Sequence, residues 1–116
     1  MSLFEELKDL GVNIDEAVER FMGNEGLYEK MLKKFPDMMN KASVEPNFDC
    51  SECAEVIEKT HAIKGAAGNL SLTPLYEAYT KIVDLLRGNQ PEQARIILKE
   101  IQPVQTQIIA CIEKHM

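Results

Sequence analysis

The sequence predicts an all-α protein: an antiparallel, up-down four-helix bundle with an additional short N-terminal helix. Three observations predict it. Apolar residues recur three and four positions apart along nearly the whole chain, the period of a helix that buries one face. Aromatic residues are scarce at 6% and Trp is absent, so the core must be built from Leu, Ile, Val, Met and Ala, which suits packed helices better than stacked sheets. Gly and Pro fall between the periodic stretches, and the short connections they leave make successive helices antiparallel neighbours. No segment alternates as a strand does, and there is no internal repeat or low-complexity tract.

The 116 residues suffice for one domain. Residues 1–12 read as an N-terminal helix or tail and residues 13–116 as the bundle core. In the first core helix, Ile14, Ala17, Val18 and Phe21 form the apolar face, Asn13 or Asp15 supplies the cap, and Gly23 ends it. A second helix starts near Asn24, with Leu27, Met31, Leu32, Phe35, Met38, Met39 and Ala42 as its buried stripe, the methionines being core packing. Pro36 removes a backbone donor and crowds the carbonyl of Leu32, so a kink or a break into two pieces is expected there. Ser43 to Asp49 reads as a loop. A third helix should run from Cys50 to Leu70, capped by Asp49 or Ser51. Thr73-Pro74 opens a fourth, with Thr73 as cap and Leu75, Tyr79, Ile82, Val83 and Leu86 inward; Gly88-Asn89 closes it. Pro91 opens the last helix, whose apolar face runs through Ala94, Ile97, Leu98, Ile101, Val104, Ile108, Ile109 and Ile112, with a bend expected at Pro103.

Composition narrows the function. The net charge of −6 repels phosphate backbones and anionic bilayers, which argues against nucleic-acid binding and membrane association. No apolar run reaches the roughly 20 residues of a membrane span. The N-terminal sequence lacks the pattern of a signal peptide, and three cysteines, an odd number, read as free thiols in a cytoplasmic protein. No P-loop or Gly-rich ATP lid is present, so the chain is expected not to be an autonomous kinase.

The third helix carries the chemistry. At about 100° per residue, and with His61 set at zero, Val56, Thr60, Ile63, Ala67 and Leu70 fall between roughly 180° and 260°. That face must pack, so His61 faces solvent. Ile57, Lys64, Gly65 and Gly68 lie within about 60° of His61. Two glycines in mid-helix cost roughly 1 kcal/mol each relative to Ala. On an exposed face they return no packing; what they do is clear the surface beside the imidazole for another protein's approach. Lys64 sets a flexible cation where it suits an anion carried by the ring, such as a phosphoryl group. Ile57 reads as a docking contact, and Glu58 flanks the site, either orienting the ring or solvated.

The segment His61-Ala62-Ile63-Lys64-Gly65-Ala66-Ala67-Gly68-Asn69-Leu70 resembles the signature of histidine-containing phosphotransfer (HPt) domains, in which His-x-x-Lys-Gly is followed by small residues on the second helix of a four-helix bundle. The resemblance extends to the acidic, Leu/Phe-rich helix before it and the Arg87-Gly88-Asn89 turn after it. It implies an HPt-like bundle in which His61 is the phosphoacceptor and Lys64 assists the phosphoryl group. Ile57, Glu58, Gly65 and Gly68 then serve partner docking. It further implies a cytoplasmic, monomeric carrier in a two-component phosphorelay. The partners would be receiver domains of response regulators or hybrid histidine kinases, and a histidine kinase. No cofactor or metal is expected on this chain, since the Mg²⁺ of the reaction belongs to the receiver. One departure is Ser71, where many members of the family have Gly, which bears on the turn after the helix.

Two other classes compete. Cys50-x-x-Cys53 and the Cys111/His115 pair, four residues apart on a helix, have ligand spacing and would make a small Cys/His structural metal-binding bundle if the helix ends met. A non-catalytic helical interaction module would dock a partner through Ile57 and its neighbours with no covalent step.

Overall fold

A computed structural model describes residues 2–49 and 53–116. Within them the protein is all-helical, with seven helices: α1 (Leu3–Asp9), α2 (Ile14–Arg20), α3 (Glu25–Leu32), α4 (Phe35–Ala42), α5 (Cys53–Asn69), α6 (Thr73–Arg87) and α7 (Pro91–Lys114). The molecule measures 42 × 25 × 21 Å. At about 1.5 Å per residue, α7 alone spans most of its long axis.

Local chemistry sets most of the boundaries. The side chains of Ser2, Asn13 and Asn24 accept hydrogen bonds from the backbone amides of Glu5, Glu16 and Leu27, capping α1, α2 and α3. Gly23, at φ +82°, lets the chain turn sharply between α2 and α3. The stretch around Pro36 breaks into two helices, as its backbone chemistry demands, and Pro36 sits in the first turn of α4. Residues 43–49 form a loop held to α7 by Arg95, whose Nε donates to the Phe48 carbonyl at 3.2 Å while its guanidinium lies 4.9 Å from the Phe48 ring centre. The Ser51 cap candidate and Cys50 lie outside the described residues. The α5 helix is described from Cys53 and ends at Asn69. Thr73 is not a cap: Leu72 occupies that position, and α6 starts at Thr73 without a side-chain cap bond. Helix α7 continues through Pro103.

Helix α6 packs against both α5 and α7, while α4 packs against α5 and α7, so contacts run in a ring through these four helices. The α1 segment is a packed helix, with Leu3 and Leu7 buried and its body against α7. The expected stripes of α5, α6 and α7 are largely buried, although Ile97, Val104 and Ile109 are only partly so. The stripe of α3 is rotated from expectation. Leu27 (42% exposed) and Met31 (36%) face outward, and Tyr28 is fully buried instead. The reason is polar: the Tyr28 hydroxyl reaches across the core to donate to the Leu70 carbonyl at 2.7 Å, satisfying an acceptor at the end of α5 that would otherwise be buried unpaired. Of the methionines assigned to packing, Met39 is buried, Met38 partly so, and Met31 is not.

Candidate functional site

His61 lies in the middle of α5 and is exposed. It is there because the opposite face is taken: Val56, Thr60, Ile63, Ala67 and Leu70 are all buried, as the wheel requires. Thr60, the polar member of that face, is satisfied locally, its hydroxyl donating to the Val56 carbonyl at 2.9 Å. The exposed positions of α5 around His61 are Glu58, Ala62, Gly65 and Asn69, an open strip centred between His61 and Gly65. No hydrogen bond or ion pair ties His61 to another described residue, so its ring nitrogens face outward unengaged. Lys64, one turn on, is partly exposed, and Glu58 is solvated rather than bonded to the ring.

The two glycines differ. A Cβ placed on Gly65 would meet nothing within 4 Å, so this position is open surface beside the imidazole. A Cβ on Gly68 would lie 3.0 Å from Cδ1 and Cε1 of Tyr76 on α6. Gly68 therefore seats the tyrosine ring as well as lying on the strip. Ile57 is half-buried: it packs on the core and keeps its outer part at the surface.

Two grooves flank the strip. One, between α4 and α5, holds Lys34, Lys41 and Lys59 alongside Asp37, Glu55 and Glu58, a mixed-charge wall; Lys59 pairs with Glu55 at 3.2 Å. The other, of about 620 Å³, runs beside Gly65, Gly68 and Tyr76 to Arg20 and Ser71. Tyr76 is 41% exposed there and was not singled out by the sequence pattern, because it lies off the apolar stripe of α6. The signal that could have found it is the glycine at the helix crossing it packs on.

The floor of this second groove is a polar network. Ser71 has φ +54°, the left-handed conformation that favours Gly, and is buried. Arg20 Nη1 donates to Ser71 Oγ at 2.6 Å and to the Asn69 carbonyl at 3.3 Å, and Nη2 donates to Glu16 Oε1 at 3.1 Å. Ser71 Oγ in turn donates to Glu16 Oε1 at 2.9 Å. The Ser71 bond, followed by that of Arg20, holds the Glu16 carboxyl below the usual 4.5. Ser71 thus keeps the turn a glycine would make and adds a side-chain tie to α2.

The cysteines do not behave as one class. Cys53 is disulfide-bonded, against the expectation of free thiols, and Cys111 is a free thiol. Of the ligand set that paired Cys50 and Cys53 with Cys111 and His115, Cys50 lies outside the described residues, and Cys53 does not join the other two. Cys111 and His115 meet Glu6 of α1 instead. The Glu6 carboxyl is held down to about 2, first by its hydrogen bond from Lys114 and then by those with His115 and Cys111. Burial, reinforced by Glu6, pushes the Cys111 thiol up to about 11.

No protein-family model matches the chain, and no curated protein or solved structure is similar to it beyond chance. No helix among the described residues is long and apolar enough to cross a membrane.

Proposed function

We propose that the chain is a histidine phosphotransfer domain, with α4 to α7 as its antiparallel four-helix bundle and α1 to α3 packed around one end. The observation that carries this reading is the strip on α5: an exposed, unengaged imidazole at His61, with a cation at i+3 and a bare backbone at i+4. The ring of contacts through α4, α5, α6 and α7 supports the bundle.

The chemistry is a reversible phosphoryl exchange. A ring nitrogen of neutral His61 attacks the phosphorus of an aspartyl phosphate on a receiver domain. The N–P bond forms as the acyl-phosphate O–P bond breaks, and the aspartate departs as its carboxylate. The phosphoramidate product is itself a reactive donor, so the same step run backwards loads a second receiver. Such a transfer needs positioning and charge neutralisation more than proton transfer. Lys64 supplies a cation from this side, the receiver supplies its own Mg²⁺, and Gly65 lets the partner's backbone approach. No ATP site is required, which makes the chain a carrier rather than an enzyme, serving receiver domains and a histidine kinase in the cytoplasm.

The test is incubation with phosphorylated receivers. Acid-labile, base-stable phosphate should appear on His61, and His61→Gln should abolish it without changing the melting temperature, because the ring makes no packing contribution to lose. Uptake retained by that variant sinks the proposal. Lys64→Ala should slow transfer by on the order of threefold to tenfold, the value of a screened surface charge contact worth ~1 kcal/mol. An unchanged rate removes its role.

A further inference from the structure

The packing of α1 on α7 gathers three metal-ligating side chains. The geometry points to a zinc site formed by Glu6, Cys111 and His115, which ties α1 to the C-terminal end of α7. One ligand atom from each of the three residues lies within 4.8 Å of the others. Glu6 Oε2 is 2.7 Å from His115 Nε2 and 3.4 Å from Cys111 Sγ.

Zinc bonded tetrahedrally at about 2.0 to 2.3 Å holds its donors roughly 3.3 to 3.8 Å apart. The Glu6–Cys111 separation already falls in that range, and Glu6 and His115 have to part by less than about 1 Å. The placement arises from two elements. Residues 111 and 115 are one helical turn apart, so α7 presents thiol and imidazole on one side. Glu6 comes from a helix 105 residues away in sequence that is already packed there. A thiolate, an imidazole and a carboxylate together favour zinc over the hard cations Mg²⁺ and Ca²⁺, which prefer all-oxygen sites. A shallow groove past Cys111, bordered by Leu10, Gln107 and Ala110, gives an ion its way in and leaves room for a water in the fourth position.

The exchange balances. Zn²⁺ displaces the Cys111 thiol proton, which leaves to solvent, and the His115 N–H moves from Nε2 to Nδ1 by tautomerisation, which frees the nitrogen that faces Glu6. The thiolate and carboxylate neutralise the ion, and His115 binds through the Nε2 lone pair with its proton on Nδ1. Lys114 Nζ, 2.7 Å from Glu6 Oε1, keeps that oxygen while Oε2 serves the metal.

The inference is independent of the phosphotransfer reading, and so is its test. The chain, residues 1–116, is freed of metal and titrated with Co²⁺ and then Zn²⁺. One equivalent of Co²⁺ should give thiolate-to-cobalt charge-transfer absorption with the visible bands of a tetrahedral ion, and Zn²⁺ should displace it. Cys111→Ser should remove the charge-transfer band. His115→Gln, a change at the C-cap of α7, should weaken binding at least tenfold, and His61→Gln should leave it unchanged. The melting temperature should rise with added Zn²⁺ in the parent and not in Cys111→Ser. Absence of the charge-transfer band at one equivalent, or an identical titration in Cys111→Ser, overturns the site and leaves Glu6 as a hydrogen-bonded tether only.

Discussion

At the scale of single residues, Gly65 and Gly68 separate what the α5 strip needs for function from what it needs for packing. Both lower helix stability by roughly the same amount, and neither is relieved by a positive φ. Gly65→Ala meets open space, so it should stabilise the protein by up to about 1 kcal/mol through helix propensity. If a receiver closes on His61 across that bare backbone, the same methyl should slow transfer severalfold. Gly68→Ala gains the same propensity but pushes on the Tyr76 ring at 3.0 Å, so its net gain in urea denaturation should be clearly smaller than that of Gly65→Ala. Equal stabilisation by the two substitutions would show that Tyr76 yields freely and that Gly68 is not held by packing. Equal transfer rates for Gly65→Ala and the parent would detach Gly65 from partner approach.

At the scale of the elements, the turn between α5 and α6 fixes where the site helix ends, and Ser71 holds it through α2. Ser71→Ala keeps the unfavourable φ and strips Glu16 and Arg20 of their shared hydroxyl, so it should destabilise by about 1 kcal/mol at neutral pH. The pH dependence has a definite sign. The Glu16 carboxyl is depressed in the folded state, so its contribution is present above its ordinary value of 4.5 and is lost as pH falls below it. The gap between parent and variant should therefore narrow below about pH 4.5, as followed by thermal melts across the acid range; a gap that widens there contradicts the network. Such elements also mark how far the sequence is legible. The inward face of α5, the break at Pro36 and the caps at Asn13 and Asn24 follow from period and local backbone chemistry, which act over a few residues. Exposure of His61 is read from the same wheel. What the period misses depends on partners distant in sequence: Tyr28 turned inward by the Leu70 carbonyl, Tyr76 seated on Gly68, Ile57 drawn onto the core, and Glu6 meeting Cys111 and His115. Each is decided by a neighbour that no local window contains.

At the scale of the whole molecule, the placement of the α5 strip rests on α6, which lies between α5 and α7 in the ring of contacts. The buried residues of α6 and α7 are aliphatic apart from Tyr79, Gln105 and Cys111, and one buried polar pair joins the two helices. The Tyr79 hydroxyl donates to Gln105 Oε1, with both residues buried, and burial pushes the Tyr79 pKa well up, so the hydroxyl keeps its proton and remains a donor. Removing the donor leaves the Gln105 amide oxygen without its partner in an apolar setting. Tyr79→Phe should therefore cost about 1–3 kcal/mol, most of it the penalty of the orphaned acceptor. Replacing both, in Tyr79→Phe with Gln105→Leu, removes the acceptor as well and should recover most of that loss. The measurement is a double-mutant cycle in urea, with phosphate uptake on His61 recorded in parallel. Because His61 sits on the outer face of α5 and the pair lies between α6 and α7, the single variant should lose stability while keeping its transfer rate at temperatures where it remains folded. A transfer rate that falls in step with stability would mean that the register of α6 against α7 reaches the phosphoacceptor face, and that the strip is not positioned by α5 alone.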